Sequence, residues 1–82
     1  MLPQIGSCAT QTHADSSEHL QMAQNINTDP TLLAVLAEDT DSSVRLATAT
    51  NPATLSFVLR KLAFDPNFMV RQAALTNPSL GN

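Results

Sequence analysis

Displaced by 26 residues, the chain falls on itself. Asn51-Pro52 lands on Asn77-Pro78, Val44-Arg45 on Val70-Arg71, Asp39 on Asp65 and Ala47 on Ala73. Leu33, Leu36 and Ala37 land on Leu59, Leu62 and Ala63. One step backwards, Asp15-Ser16-Ser17 lands on Asp41-Ser42-Ser43, Leu20 on Leu46 and Asn25 on Asn51. A fixed period of this size implies units that cannot bury their apolar faces alone and must stack on their neighbours. A chain of 82 residues buries a smaller fraction of its surface than a larger one, so its stability is marginal.

Local signals place helices within each period. Asp15 is an expected N-cap, with Glu18 at the third helical position as in a capping box, and Leu20, Met22 and Ala23 face inwards before a stop near Asn25. Thr28 is the next expected cap, with Pro30 in the first turn, where a missing N–H costs nothing. Leu32, Leu33, Leu36 and Ala37 then form one stripe of a 3.6-residue period. Asp41 is expected to cap a short helix through Val44, Leu46, Ala47 and Ala49 to Thr50. Asn51-Pro52 turns the chain, because proline drives its predecessor out of the helical region. Thr54 is expected to cap a helix whose inward stripe is Leu55, Val58, Leu59, Leu62 and Ala63. Asp65-Pro66 breaks it, and Asn67 caps a partner helix with Met69 or Val70, Ala73 and Ala74 inwards. Each period therefore reads as a longer helix, a turn, a short helix and an Asn-Pro corner. The expected domains are a flexible or irregular arm over residues 1–14 and an all-α repeat domain over residues 15–82. The latter divides into a fragment 15–25, repeats 26–51 and 52–77, and a tail 78–82.

The pieces Asn51-Pro52-Ala53-Thr54, Leu62-Ala63-Phe64-Asp65-Pro66, Val70-Arg71-Gln72-Ala73 and Asn77-Pro78 resemble the leucine-rich repeat variant family of bacteria. The preceding period matches through Leu36-Ala37-Glu38-Asp39 and Val44-Arg45-Leu46-Ala47. The resemblance covers residues 25–80 well and 15–24 loosely. It implies a short right-handed α-solenoid, HEAT-like in outline, in which α-helices alternate with short 3₁₀-like helices over about two and a half repeats. The period here is slightly longer than is usual in that family. An iron–sulfur cluster known in the family needs several cysteines; Cys8 is the only one here, so no cofactor is expected.

Composition narrows the function classes. A single cysteine excludes an internal disulfide and suits a reducing cytoplasm. No apolar run approaches the length of a membrane span, and Met1 to Ser7 has neither the charge nor the apolar core of a signal segment. Cys8, His13, Asp15 and His19 match no metal-ligand spacing, and no metal site is expected. With only Gly6 and Gly81 there is no phosphate loop, and neither histidine stands at a nucleophile's motif spacing. Asp39 and Asp65 occupy equivalent places, whereas a general acid and base need unlike environments. No enzyme is expected.

Function then falls to surfaces. Residues 1–44 carry six acids and no Lys or Arg, whereas residues 45–82 carry Arg45, Arg60, Lys61 and Arg71 against Asp65 alone. Two readings of the arginines are open. In one, Arg45 and Arg71 pair with Asp39, Asp41 or Asp65 and cover apolar surface with their stems. In the other, Arg45, Arg60, Lys61 and Arg71 form a basic partner-binding patch. The leading expectation is a non-catalytic protein-interaction module, of the adaptor, inhibitor or immunity type, using the repeat surface or open repeat ends. Its alternatives are nucleic-acid binding through that patch and self-assembly of an acidic end on a basic one. Four basic residues without interleaved aromatics suit nucleic acid poorly.

Overall fold

A computed structural model describes residues 17–81. The expected arm over 1–14, the Asp15 cap, Cys8, His13 and Asn82 lie outside the described residues. The described part is all-helical and contains five helices and no strand. They are α1 (17–24), α2 (Pro30–Leu36), α3 (Ser42–Thr50), α4 (Ser56–Leu62) and α5 (Phe68–Thr76).

The caps divide into two kinds. Asp41 and Asn67 do cap α3 and α5, taking N–H groups of Ser43 and of Met69 and Val70. Thr28 and Thr54 do not cap. Thr28 Oγ1 donates to the Met22 carbonyl and Thr54 Oγ1 to that of Thr48, so each hydroxyl ties a corner back to the end of the preceding helix. The helix start slips one residue later as a result. Asp29 caps α2, with Pro30 opening the helix, and Leu55 stands at the cap of α4 with no capping side chain. Leu55, expected inside, is 41% exposed. Met69 is also exposed, and Val70 takes the inward place.

Helix lengths reverse the expectation. α2 and α4 have seven residues and α3 and α5 nine, because the late start shortens α2 and α4 while their last turns tighten into i→i+3 bonds at Glu38, Asp39, Phe64 and Asp65. Such bonds occur at termini, but the described residues contain no separate 3₁₀ helix.

The core is two clusters. One joins Ala23, Leu33, Leu36, Val44 and Ala47; the other joins Ala49, Val58, Leu59, Leu62, Val70 and Ala74. Four residues of the first, Ala23, Leu33, Leu36 and Val44, lie 26 positions before four of the second, Ala49, Leu59, Leu62 and Val70. Leu80 folds back onto the second cluster. α3 packs chiefly on α5, while α2 and α4 stand further apart and leave a groove of ≈ 350 Å³.

Candidate functional site

Two hydrogen-bonded ladders run across the helices and decide which polar side chains remain available. The first is built of asparagines. Asn51 Nδ2 donates to the carbonyls of Ala23 and Asn25, each at 2.9 Å. Asn77 Nδ2 repeats this on Ala49 and Asn51, at 2.8 and 3.0 Å. The other end of each carboxamide works locally, Asn51 Oδ1 accepting from Ala53 N–H and Asn77 Oδ1 from Ser79 N–H. Both side chains are buried, where an unpaired carbonyl or amide is costly.

The second ladder is ionic. Arg45 Nε donates to Asp65 Oδ2 at 2.7 Å and Nη2 to Oδ1 at 3.3 Å, while Nη1 holds the carbonyls of Asp39 and Thr40. One period earlier, His19 Nδ1 stands 2.8 Å from Asp39 Oδ2. One period later, Arg71 Nη1 holds the carbonyls of Asp65 and Pro66, with its guanidinium over the Phe68 ring at 5.7 Å. Asp65 is 8% exposed. Burial pushes its carboxyl up, but the Arg45 hydrogen bond, the Asn67 N–H and the charges of Arg45 and Arg71 outweigh this, leaving its pKa below the usual value. Asp39 is likewise held low, first by the Asp41 N–H and then, against burial, by His19. The two carboxylates are shifted in the same direction by the same kinds of contact, unlike an acid–base pair.

The four basic residues thus have different fates. Arg45 is engaged by Asp65 and two carbonyls. Lys61 Nζ pairs with Glu38 Oε2 at 2.7 Å on open surface, which lowers the Glu38 pKa, first through the hydrogen bond itself. Arg60 is exposed. Arg71 keeps Nε and Nη2 without a carboxylate among the described residues. No three His, Cys, Asp or Glu residues gather for a metal among the described residues.

The surface feature that the sequence reading missed is apolar. All three phenylalanines are exposed: Phe57, Phe68 and, at 87%, Phe64. Twenty-six residues earlier stand Thr31, Ser42 and Glu38. Exposed Met69 likewise stands against Ser43, and Leu75 against Ala49. Five polar or small positions thus become large and apolar in the second period. Comparing residues 26 apart for polarity, in addition to identity, would have revealed the exchange. Phe57 and Phe64 line the groove between α2 and α4, with Ala34, Ala37 and the Glu38–Lys61 pair on its walls.

Comparison with protein-family models, curated proteins and solved structures gave no match. Among the described residues, no helix is long and apolar enough to cross a membrane.

Proposed function

We propose that the chain is a short right-handed α-solenoid of about two and a half 26-residue repeats, resembling leucine-rich repeat variant units, and that it serves as a non-catalytic protein-interaction module of the bacterial cytoplasm. The recurrence of the same hydrogen bonds one period apart, Asn51 to Asn25 and Asn77 to Asn51, supports the stacked arrangement. The observation that carries the interaction reading is the exposure of Phe57, Phe64, Phe68, Met69 and Leu75 where the preceding period is polar or small. Phe57 and Phe64 share one groove, and grouped exposed apolar residues beside polar ones mark a binding site more often than single ones do. An adaptor, inhibitor or immunity-type role fits a module of this kind. The engagement of Arg45 by Asp65 and of Lys61 by Glu38 weighs against a nucleic-acid patch made of Arg45, Arg60, Lys61 and Arg71.

The test is affinity capture of the tagged chain from a lysate of its source, with and without nuclease. A stoichiometric protein partner retained through nuclease treatment is the expected result. Material lost on nuclease or at high salt overturns it in favour of phosphate binding.

A further inference from the structure

The walls of the groove come from successive periods, α2 from one and α4 from the next. Its ≈ 350 Å³ lies near the low end of the range for ligand pockets, about 300–1,000 Å³, so it takes one or two side chains rather than a whole helix. On its lip stands Phe64, the most exposed large apolar side chain among the described residues. The two walls differ in charge. From Asp29 to Asp39 the α2 wall carries Asp29, Glu38 and Asp39 and no base. From Leu55 to Phe64 the α4 wall carries Arg60 and Lys61 and no acid. Asp65, which follows α4, is tied to Arg45. Glu38 and Lys61 join the two walls at 2.7 Å, and their side chains are 63% and 66% exposed.

We propose that this face pairs with the same face of a second copy of the chain. The proposal rests on the interaction-module reading, whose partner it names. A two-fold interface must complement itself, in shape and in charge. The shape condition is met because groove and ring belong to one patch, so that Phe64 of each copy enters the groove of the other. The charge condition is met by a two-fold axis running along the groove, which lays the α2 wall of one copy over the α4 wall of the other. Glu38 of each copy then faces Lys61 of the other, and two surface pairs merge into a cluster of four charges. An exposed pair contributes little by itself, so its rearrangement costs little. Charge also favours a copy over a foreign segment. An acidic segment meets like charge on the α2 wall and a basic one meets it on the α4 wall, whereas a copy brings both signs in the opposing order. One groove and its rings make a small face, and faces under about 1,200 Å² form weak, transient complexes.

Sedimentation of the purified chain tests the pairing. The average mass should rise from that of one chain toward that of two as concentration climbs from about 10 μM to about 1 mM, the range of a weak interface. Glu38→Lys turns the central pair into two bases, and Lys61→Glu turns it into two acids. Each variant alone should dimerise at least about tenfold more weakly, because like charges then oppose each other across the axis. An equimolar mixture of the two should form a mixed dimer within about threefold of the wild-type affinity. The mixture restores opposite charges between copies while the pair within each copy stays broken, which separates a contact between copies from a support of the fold. Both side chains are exposed, so thermal unfolding of dilute protein should find both variants folded. Phe64→Ser should abolish the pairing.

A chain that stays monomeric to about 1 mM overturns the proposal, since even a weak interface pairs there. A dimer indifferent to both charge changes, or a mixture no tighter than its components, overturns it too, because the copies then meet elsewhere. Capture separates this failure from that of the reading beneath it. A monomeric chain that retains a foreign protein, and loses it with Phe57→Ser and Phe64→Ser, leaves the module reading standing and puts a foreign segment in the groove. A monomeric chain that retains nothing overturns both.

Discussion

Asn51 and Asn77 each satisfy groups on both sides of a junction, donating to the earlier corner and accepting from their own. The carboxamide must donate twice to the earlier corner and accept once from its own. Aspartate keeps the acceptor and loses both donors, setting a carboxylate against two carbonyls. Asn51→Asp should therefore destabilise more than Asn51→Ala, which itself should cost about 2–4 kcal/mol through unpaired buried carbonyls and lost packing. Urea unfolding of the three proteins ranks them, and an aspartate variant as stable as wild type contradicts the ladder. Asp65 makes a second residue-level case. Its folded pKa lies below the ordinary carboxylate value of about 3.9. A depressed folded pKa contributes stability above the unfolded pKa and loses it as pH falls through the folded one. Asp65→Asn should cost about 2 kcal/mol at pH 7, where the partly buried Arg45 loses its counter-charge. The gap between the two proteins should narrow below about pH 4 and close further as the wild-type carboxyl protonates. Denaturant titrations at pH 7 and pH 3 check this, and a gap that widens in acid contradicts a depressed Asp65 pKa.

Three of the four helices from α2 to α5 begin on an Asp or Asn cap, and α4 begins on Leu55. Leu55 lies 26 positions after Asp29, so the second period has lost a cap that the first retains. Leu55→Asp should restore it and stabilise the chain by about 0.5–1 kcal/mol, because Leu55 is already 41% exposed and gives up little burial. Thermal unfolding measures the gain, and a loss instead assigns Leu55 a packing role that its exposure does not suggest. The same helix explains how much of the fold was legible in the sequence. Helical class, the Asp41 and Asn67 caps, and the inward Leu33, Leu36, Val58, Leu59, Leu62 and Val70 followed from periodicity and local capping chemistry. Thr28 and Thr54 misled because a threonine hydroxyl can accept at a helix start or donate to a carbonyl six residues back. That choice depends on where the preceding helix ends, a non-local fact. Of the four basic candidates, the pairing of Arg45 with an acid is one of the two readings that the sequence leaves open. The groove aromatics were missed because a search for periodic identities passes over the positions where the period changes character.

At the scale of the whole molecule, burial and exposure have separated into different residue sets. The two core clusters are aliphatic, made from Leu, Val and Ala, and none of the three phenylalanines belongs to either. Aromatic side chains are usually among the largest contributors to a core, so their placement outside it needs another reason than folding. On the module reading that reason is a partner. Phe57 and Phe64 sit on the groove between α2 and α4. Phe57→Ser and Phe64→Ser together should leave stability within about 1 kcal/mol of wild type, since neither side chain is buried and surface exchanges away from special features move stability little. They should remove most of the binding of the partner captured by the unmodified chain. The two readouts separate the alternatives. Unfolding that shifts markedly means the rings support the fold despite their exposure. Unchanged unfolding with unchanged capture places recognition outside the groove. Unchanged unfolding with reduced capture extends the interface across the groove, where an apolar segment meets Phe57 and Phe64 and the Glu38–Lys61 pair forms the polar rim.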